Sequence, residues 1–162
     1  MKGEKMALEY RNSITPEDVN FLRKGVGFRQ IDPEQLAAGL QGSALVISAY
    51  DETNVVGMAR LIWDGGMVAL LTDLLVLPDY QDQPVLRGMV LQILSYLKGK
   101  LKPGFGIQMD VYAWEQQEVL LRELGFEIST PERRGVPMQL CLTDQIELTD
   151  AKFGQCGFSA AE

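Results

Sequence analysis

Asp73 interrupts an otherwise apolar run, Met67 to Leu77. A carboxylate in that setting can serve as a general base, or anchor a cationic substrate. The plainer alternative is a strand residue on an exposed or hydrogen-bonded face. Beyond the run, Pro84 opens a helical pattern, and backbone amides at a helix start hold anions without any positive side chain. Asp73 to Leu97 is therefore a strand–turn–helix unit of the kind that holds an anionic cofactor. The sequence contains no histidine, which removes every His-dependent triad, His-ligated metal and imidazole base. Cys141, inside an apolar run, reads as a small hydrophobe and Cys156 as an incidental thiol. Glu17, Asp18 and Glu34 fall at helix starts, where acids complement the dipole, so no metal site is expected.

The chain of 162 residues is 46% hydrophobic and 23% charged, enough for one domain with its own core. Acidic residues outnumber basic ones, 22 to 15. Nucleic-acid binding rests on clustered Lys and Arg, and an anionic membrane surface repels such a protein, so neither partner is expected. No stretch approaches the roughly 18 apolar residues of a membrane span. The first ten residues hold no apolar segment of a secretory leader. The expected compartment is the cytoplasm.

The pattern of turns and periods predicts the scaffold. Met6 to Asn12 reads as a first strand. Thr15-Pro16-Glu17-Asp18 caps a helix running to about Lys24, and Asp32-Pro33-Glu34 starts a second through Leu40. Ala44 to Tyr50, Val55 to Trp63 and Met67 to Leu77 form an antiparallel meander. From Pro84 a period of 3.6 puts Leu86, Val90, Ile93, Leu94, Leu97 and Leu101 on one face. Gly106 to Tyr112 is a further strand, and Glu115 to Leu124 a helix closed by Gly125. Phe126 to Ser129 and Met138 to Leu142 are expected to finish the sheet. Arg133 and Arg134 read as a solvated pair on a loop, and Trp63 as core or interface. One domain over residues 1–145 and a C-terminal extension over 146–162 are expected.

This order, with its motifs, resembles the GNAT acyltransferases. Leu75-Val76-Leu77-Pro78-Asp79-Tyr80-Gln81 leading into a helix is similar to that family's central motif. Gly125-Phe126 after Leu120 to Leu124 is similar to its second motif, and Gly135-Val136-Pro137-Met138 to a branch of bacterial small-amine acetyltransferases. The resemblance spans roughly residues 6 to 142. It implies an α/β (α+β) fold with a mixed, mostly antiparallel twisted sheet of six to seven strands and about four helices, in the order β-α-α-β-β-β-α-β-α-β-β.

It also implies an N-acetyltransferase that moves an acetyl group from acetyl-CoA, the acyl-donor cosubstrate, to a small amine. The pantetheine would follow Leu75, Val76 and Leu77, whose splayed strand polarises the carbonyl through its amides. The pyrophosphate would lie over Gln81, Asp82, Gln83, Pro84, Val85, Leu86 and Arg87, with Arg87 supplying positive charge. Asp73 is then the base or the substrate anchor. A homodimer is implied as well, and an acidic protein favours a cationic acceptor.

The chain departs from the family at specific places. The phosphate loop of the family reads Gln/Arg-x-x-Gly-x-Gly/Ala, and Pro84 and Leu86 stand where the small residues belong. Pro84 has no N–H to donate, Leu86 adds bulk, and Asp79 and Asp82 add negative charge. Leu121 holds the place of the tyrosine that commonly protonates the leaving thiolate, and Trp114 that of an asparagine. Tyr112, ending the fifth strand, is the replacement acid; its other reading is a half-buried strand aromatic. Phe28, with Arg29, falls in the loop that covers the acceptor, where packing is the competing role. These departures also admit a non-catalytic ligand-sensing or protein-interaction module of the same fold.

Overall fold

Two helix starts act as the sequence dictates. Thr15 Oγ1 accepts from the Asp18 N–H at 3.1 Å and Asp32 Oδ1 from the Gln35 N–H at 3.0 Å, each cap followed by a proline that needs no partner for its nitrogen. They open α1 (Pro16–Gly25) and α2 (Pro33–Gln41). The structure, a computed structural model, describes residues 8–82 and 84–138. Two compact units divide the chain, the first ending at Trp114 and the second beginning at Glu115.

The first unit holds one open, mixed sheet with the strands in chain order. They are β1 (Leu8–Arg11), β2 (Leu45–Asp51), β3 (Asn54–Trp63), β4 (Val68–Val76) and β5 (Gln108–Val111). The first four pair antiparallel, and β5 joins β4 in parallel. Between β4 and β5 lie a 3-10 turn over Pro78–Tyr80 and α3 (Val85–Lys98).

Side chains alternate across a strand, so β3 serves two helices. Met58 faces α1 in a core with Val19, Leu22, Val46, Tyr50, Val55 and Leu75. Its neighbour Gly57 faces α3, and a Cβ there would stand 3.2 Å from Val85 Cγ1 and from Met89 Cε. Glycine is what lets the start of α3 lie close against the sheet. Buried Ser48 is satisfied by donating to the Ser13 carbonyl at 2.7 Å.

The second unit contains α4 (Glu115–Glu123) and a short α5 (Pro131–Arg134). Gly125 takes φ 97, and the Phe126 N–H returns to the Leu121 carbonyl at 3.0 Å, the expected left-handed helix stop.

Three expectations are corrected. Five strands occur among the described residues, not six to seven. Phe126 to Ser129 is irregular backbone rather than strand, because β-rich composition makes a strand only where a sheet edge pairs with it. The helix from Pro84 stops at Lys98, so Leu101 lies beyond the face assigned to it. In addition, Arg134 ends the one-turn helix α5, where a loop was expected. Gln83, Cys141, Cys156, the strand expected beyond Met138, and residues 146–162 lie outside the described residues.

Candidate active site

On β4, Thr72 pairs with Arg60 and Leu75 with Met58, so Asp73 and Leu74 together face the single residue Ala59. This is a β-bulge, which bends the strand and re-aims its groups. Asp73 takes φ 50 to make it, a left-handed conformation that aspartate tolerates better than most residues. Its carboxylate is held in place. Arg60 Nε donates to Asp73 Oδ2 at 2.7 Å, with the two side chains 21% and 25% exposed. Arg60 Nη1 donates on to the Gly39 carbonyl and to Ser43 Oγ, both at 3.3 Å. Asp73 Oδ1 accepts no hydrogen bond among the described residues.

The sheet opens just before this bulge. The β4–β5 ladder runs from Val68 and Gln108 to Leu71 and Val111 and ends there. Among the described residues, the rest of β4 is paired only with β3. The Leu77 N–H donates to the Val56 carbonyl at 2.9 Å, so alternation turns the Val76 N–H and C=O the other way, toward the opening. Gln81 Nε2 takes the Val76 carbonyl at 3.2 Å. The Val76 N–H has no partner among the described residues.

The start of α3 supplies more donors. Pro84 is its N-cap and offers no side-chain cap, and the Gly88 N–H donates to the Pro84 carbonyl at 3.0 Å. The N–H groups of Val85 and Leu86 are therefore without partners among the described residues. Such amides, with the helix dipole behind them, suit an anion. The Val85 side chain is buried and Leu86 half-buried. Asp79 and Asp82 are exposed in the approach. The Tyr80 hydroxyl donates to Asp51 Oδ2 at 2.8 Å, and that bond raises the tyrosine's pKa.

Comparison with known proteins fits this geometry. No family sequence model and no curated protein sequence matches the chain. Solved structures do. A probable acetyltransferase from meticillin-resistant Staphylococcus aureus superposes with a TM-score of 0.72 at 25% identity, over 82% of this chain and 99% of that one. A GNAT-family acetyltransferase from Streptococcus pneumoniae gives 0.63 at 27% identity, over 86% and 98%. N-acetylglutamate synthase from Neisseria gonorrhoeae, complexed with coenzyme A and L-arginine, gives 0.59 at 15% identity, over 83% of this chain and 30% of that one. The chain has the GNAT fold.

Within that fold the residues singled out by sequence fall unevenly. Leu75 and Val76 are buried and Leu77 half-buried, so the opening receives Val76's amide rather than their side chains. Gln81 turns its amide back onto β4, Asp82 is exposed, and Arg87 is half-buried on the first turn of α3. Tyr112 directly follows the last paired residue of β5 and is 70% exposed. It is therefore neither within the strand nor half-buried. Phe28 is partly buried beside the α1 core and also meets Trp114, ring centroids 5.7 Å apart and planes inclined by 40°.

Two residues, Arg60 and Arg23, escaped the sequence reading, and so did the contact that Trp114 makes. Arg60 is the ion partner of Asp73. Trp114 is the ring partner of Phe28. Arg23, in the last turn of α1, has its Cζ 5.5 Å from the Phe28 ring centroid. Burial pushes the pKa of Arg23 down, and the charge of Asp73 opposes that shift. The one available signal was the pairing of a lone strand acid with a lone basic residue, Arg60, on the adjoining strand. Among the described residues, no group of His, Cys, Asp and Glu could hold a metal ion, and no helix is long and apolar enough to cross a membrane.

Proposed function

We propose that the chain is an N-acetyltransferase that moves an acetyl group from acetyl-CoA to a small amine. The observation that carries this reading is the parting of β4 from β5 after Leu71, with the Val76 N–H, without a partner among the described residues, turned into the gap. A thioester carbonyl set against that amide develops negative charge in the transition state, and a fixed donor in a water-poor cleft stabilises it. The pantetheine lies along β4 past the bulge. The pyrophosphate sits at the start of α3 on the amides of Val85 and Leu86.

The reaction balances simply. The neutral amine attacks the carbonyl carbon, the C–S bond breaks, the amine sheds a proton and the CoA thiolate gains one. Tyr112, exposed at the end of β5, supplies the proton to sulfur. Asp73, with Oδ2 fixed by Arg60, offers Oδ1 to the acceptor nitrogen. Phe28 forms the acceptor wall. A cytoplasmic homodimer belongs to the same reading.

The second reading is a non-catalytic ligand-sensing or interaction module. It is favoured by Pro84, which brings no N–H to the phosphate position, and by the exposed acids Asp79 and Asp82 before it.

Isothermal titration with acetyl-CoA and with CoA separates the two. Saturable micromolar binding, followed by thiol release in an amine screen, is the expected result. Absence of heat and of thermal stabilisation at millimolar ligand would sink the transferase reading and leave the module.

A further inference from the structure

We propose that the acceptor carries a carboxylate, gripped by Arg23, and an apolar body laid against the Phe28–Trp114 pair; the acceptor is then an amino acid or a close amino-carboxylate. The inference rests on the transferase reading for the reaction, but not for the binding.

Two arginines lie on the α1–α2 side of β3 and β4, and they differ in what they have left to give. Arg60 is largely engaged: Nε is on Asp73, and Nη1 is shared by Gly39 and Ser43. Arg23 is not. Its Nε donates to the Arg29 carbonyl at 2.8 Å, which fixes the plane of the guanidinium. Its two Nη groups find no acceptor, and no carboxylate pairs with it, among the described residues.

The plain account of a basic residue in a helix's last turn is complementarity to the dipole. Lys24, exposed in the same turn, already serves that end, and the dipole gives no reason to bury a charge. Arg23 is half-buried; the charge of Asp73 and the Phe28 ring ease that burial, but neither gives its Nη groups a hydrogen-bond acceptor, and buried donors left unmatched are costly. A planar fork with one edge tethered and the other open matches the two oxygens of a carboxylate.

The position agrees with the chemistry. A Cβ on Gly25 would collide with the Leu77 side chain, so the last turn of α1 lies against the end of β4 beyond the bulge. Phe28 follows that turn, and Trp114 follows β5 just past the opening. Their tilted rings give an apolar surface next to the Arg23 fork. Asp73 Oδ1 is then available for the amine and Arg23 for the acid of one zwitterion.

The test uses the full chain and matched pairs that differ only in the carboxylate: L-phenylalanine with phenethylamine, L-leucine with isoamylamine, and L-methionine with 3-(methylthio)propylamine. Binding is titrated with and without CoA, and thiol release is followed with acetyl-CoA. At least one amino acid should bind at least about tenfold more tightly than its matched amine. Arg23→Gln should erase that ratio, and Arg23→Lys should restore part of it. A melting curve and the CoA affinity of each variant report folding and the donor site separately. If every amine equals or outbinds its amino acid, or if Arg23→Gln leaves the ratio standing, the carboxylate inference is overturned. If the ratio holds but CoA does not bind, the transferase reading fails and the carboxylate site stands.

Discussion

Arg60 and Asp73 meet at 2.7 Å across β3 and β4, at the place where the two strands lose register. The pair holds a left-handed aspartate in a strand, a conformation that costs on the order of 1–2 kcal/mol and persists only when its surroundings enforce it. The same bulge lies in the stretch of β4 already parted from β5, between the last paired residue, Leu71, and the exposed Val76 amide. An ion pair thus shapes the site even where it does no chemistry.

Arg60→Met should therefore destabilise the protein by about 2 kcal/mol, the usual size for a lost hydrogen bond to a charged group. Urea unfolding measures it, and a double-mutant cycle with Asp73→Asn should give a coupling of about 1 kcal/mol. Additive losses would mean that the two side chains act independently and that the bulge stands without them.

At Gly57 the start of α3 lies close against the sheet. In Gly57→Ala the new methyl would stand 3.0 Å from the Leu75 carbonyl and 3.2 Å from Val85 and Met89. Overpacking of this kind costs about 1–3 kcal/mol. Because Val85 also presents one of the two open amides, CoA affinity should fall along with the melting temperature. A stability loss with unaltered CoA affinity would detach the helix start from the donor site.

Most of the scaffold is legible in the sequence, because it is written in local chemistry. Thr15-Pro16 and Asp32-Pro33 announce helices, and Gly125 stops one, as the structure bears out. The site is less legible. A bulge adds one residue to one strand and leaves no periodic trace; Asp73 within an apolar run was its only mark. Arg60 could be matched to Asp73 only with the register known, and the bulge shifts that register. Phe28 and Trp114 meet through tertiary folding, which no local pattern encodes. Phe126 to Ser129 erred the other way, since strand composition was present without a pairing partner.

Asp64 gives a pH test with a definite sign. Its Oδ1 accepts from the N–H groups of Gly66 at 2.8 Å and Val68 at 3.1 Å, and these bonds hold its carboxyl below the ordinary 3.8. A carboxyl more acidic in the folded state stabilises above its unfolded pKa, and that stabilisation fades as pH falls through the folded value. Wild type should thus melt above Asp64→Ala at neutral pH, and the gap should close below about pH 4. A gap independent of pH would assign the effect to turn geometry instead.

Pro84→Gly with Leu86→Gly should tighten CoA binding by about tenfold, the worth of one restored hydrogen bond to an anion together with relief of bulk. Two glycines at a helix start also loosen the helix, by up to about 1 kcal/mol each. Affinity must therefore be read on protein shown to be folded. Unchanged or weaker binding would show that the helix start accepts its ligand around Pro84 and Leu86 as they stand.

Tyr112→Phe addresses the proton that the leaving thiolate needs. The ring is 70% exposed, so removal of its hydroxyl should leave the melting temperature and the CoA affinity where they were. A positioned general acid contributes on the order of a hundredfold or more, and kcat should fall by about that factor while the KM for acetyl-CoA hardly moves. Thiolate release is also the step whose demand for an acid grows as the leaving group becomes more basic. The deficit should accordingly be smaller with a thioester whose free thiol is more acidic than that of CoA. An equal deficit with both donors would make Tyr112 a binding contact, and no deficit with either would leave solvent as the proton source.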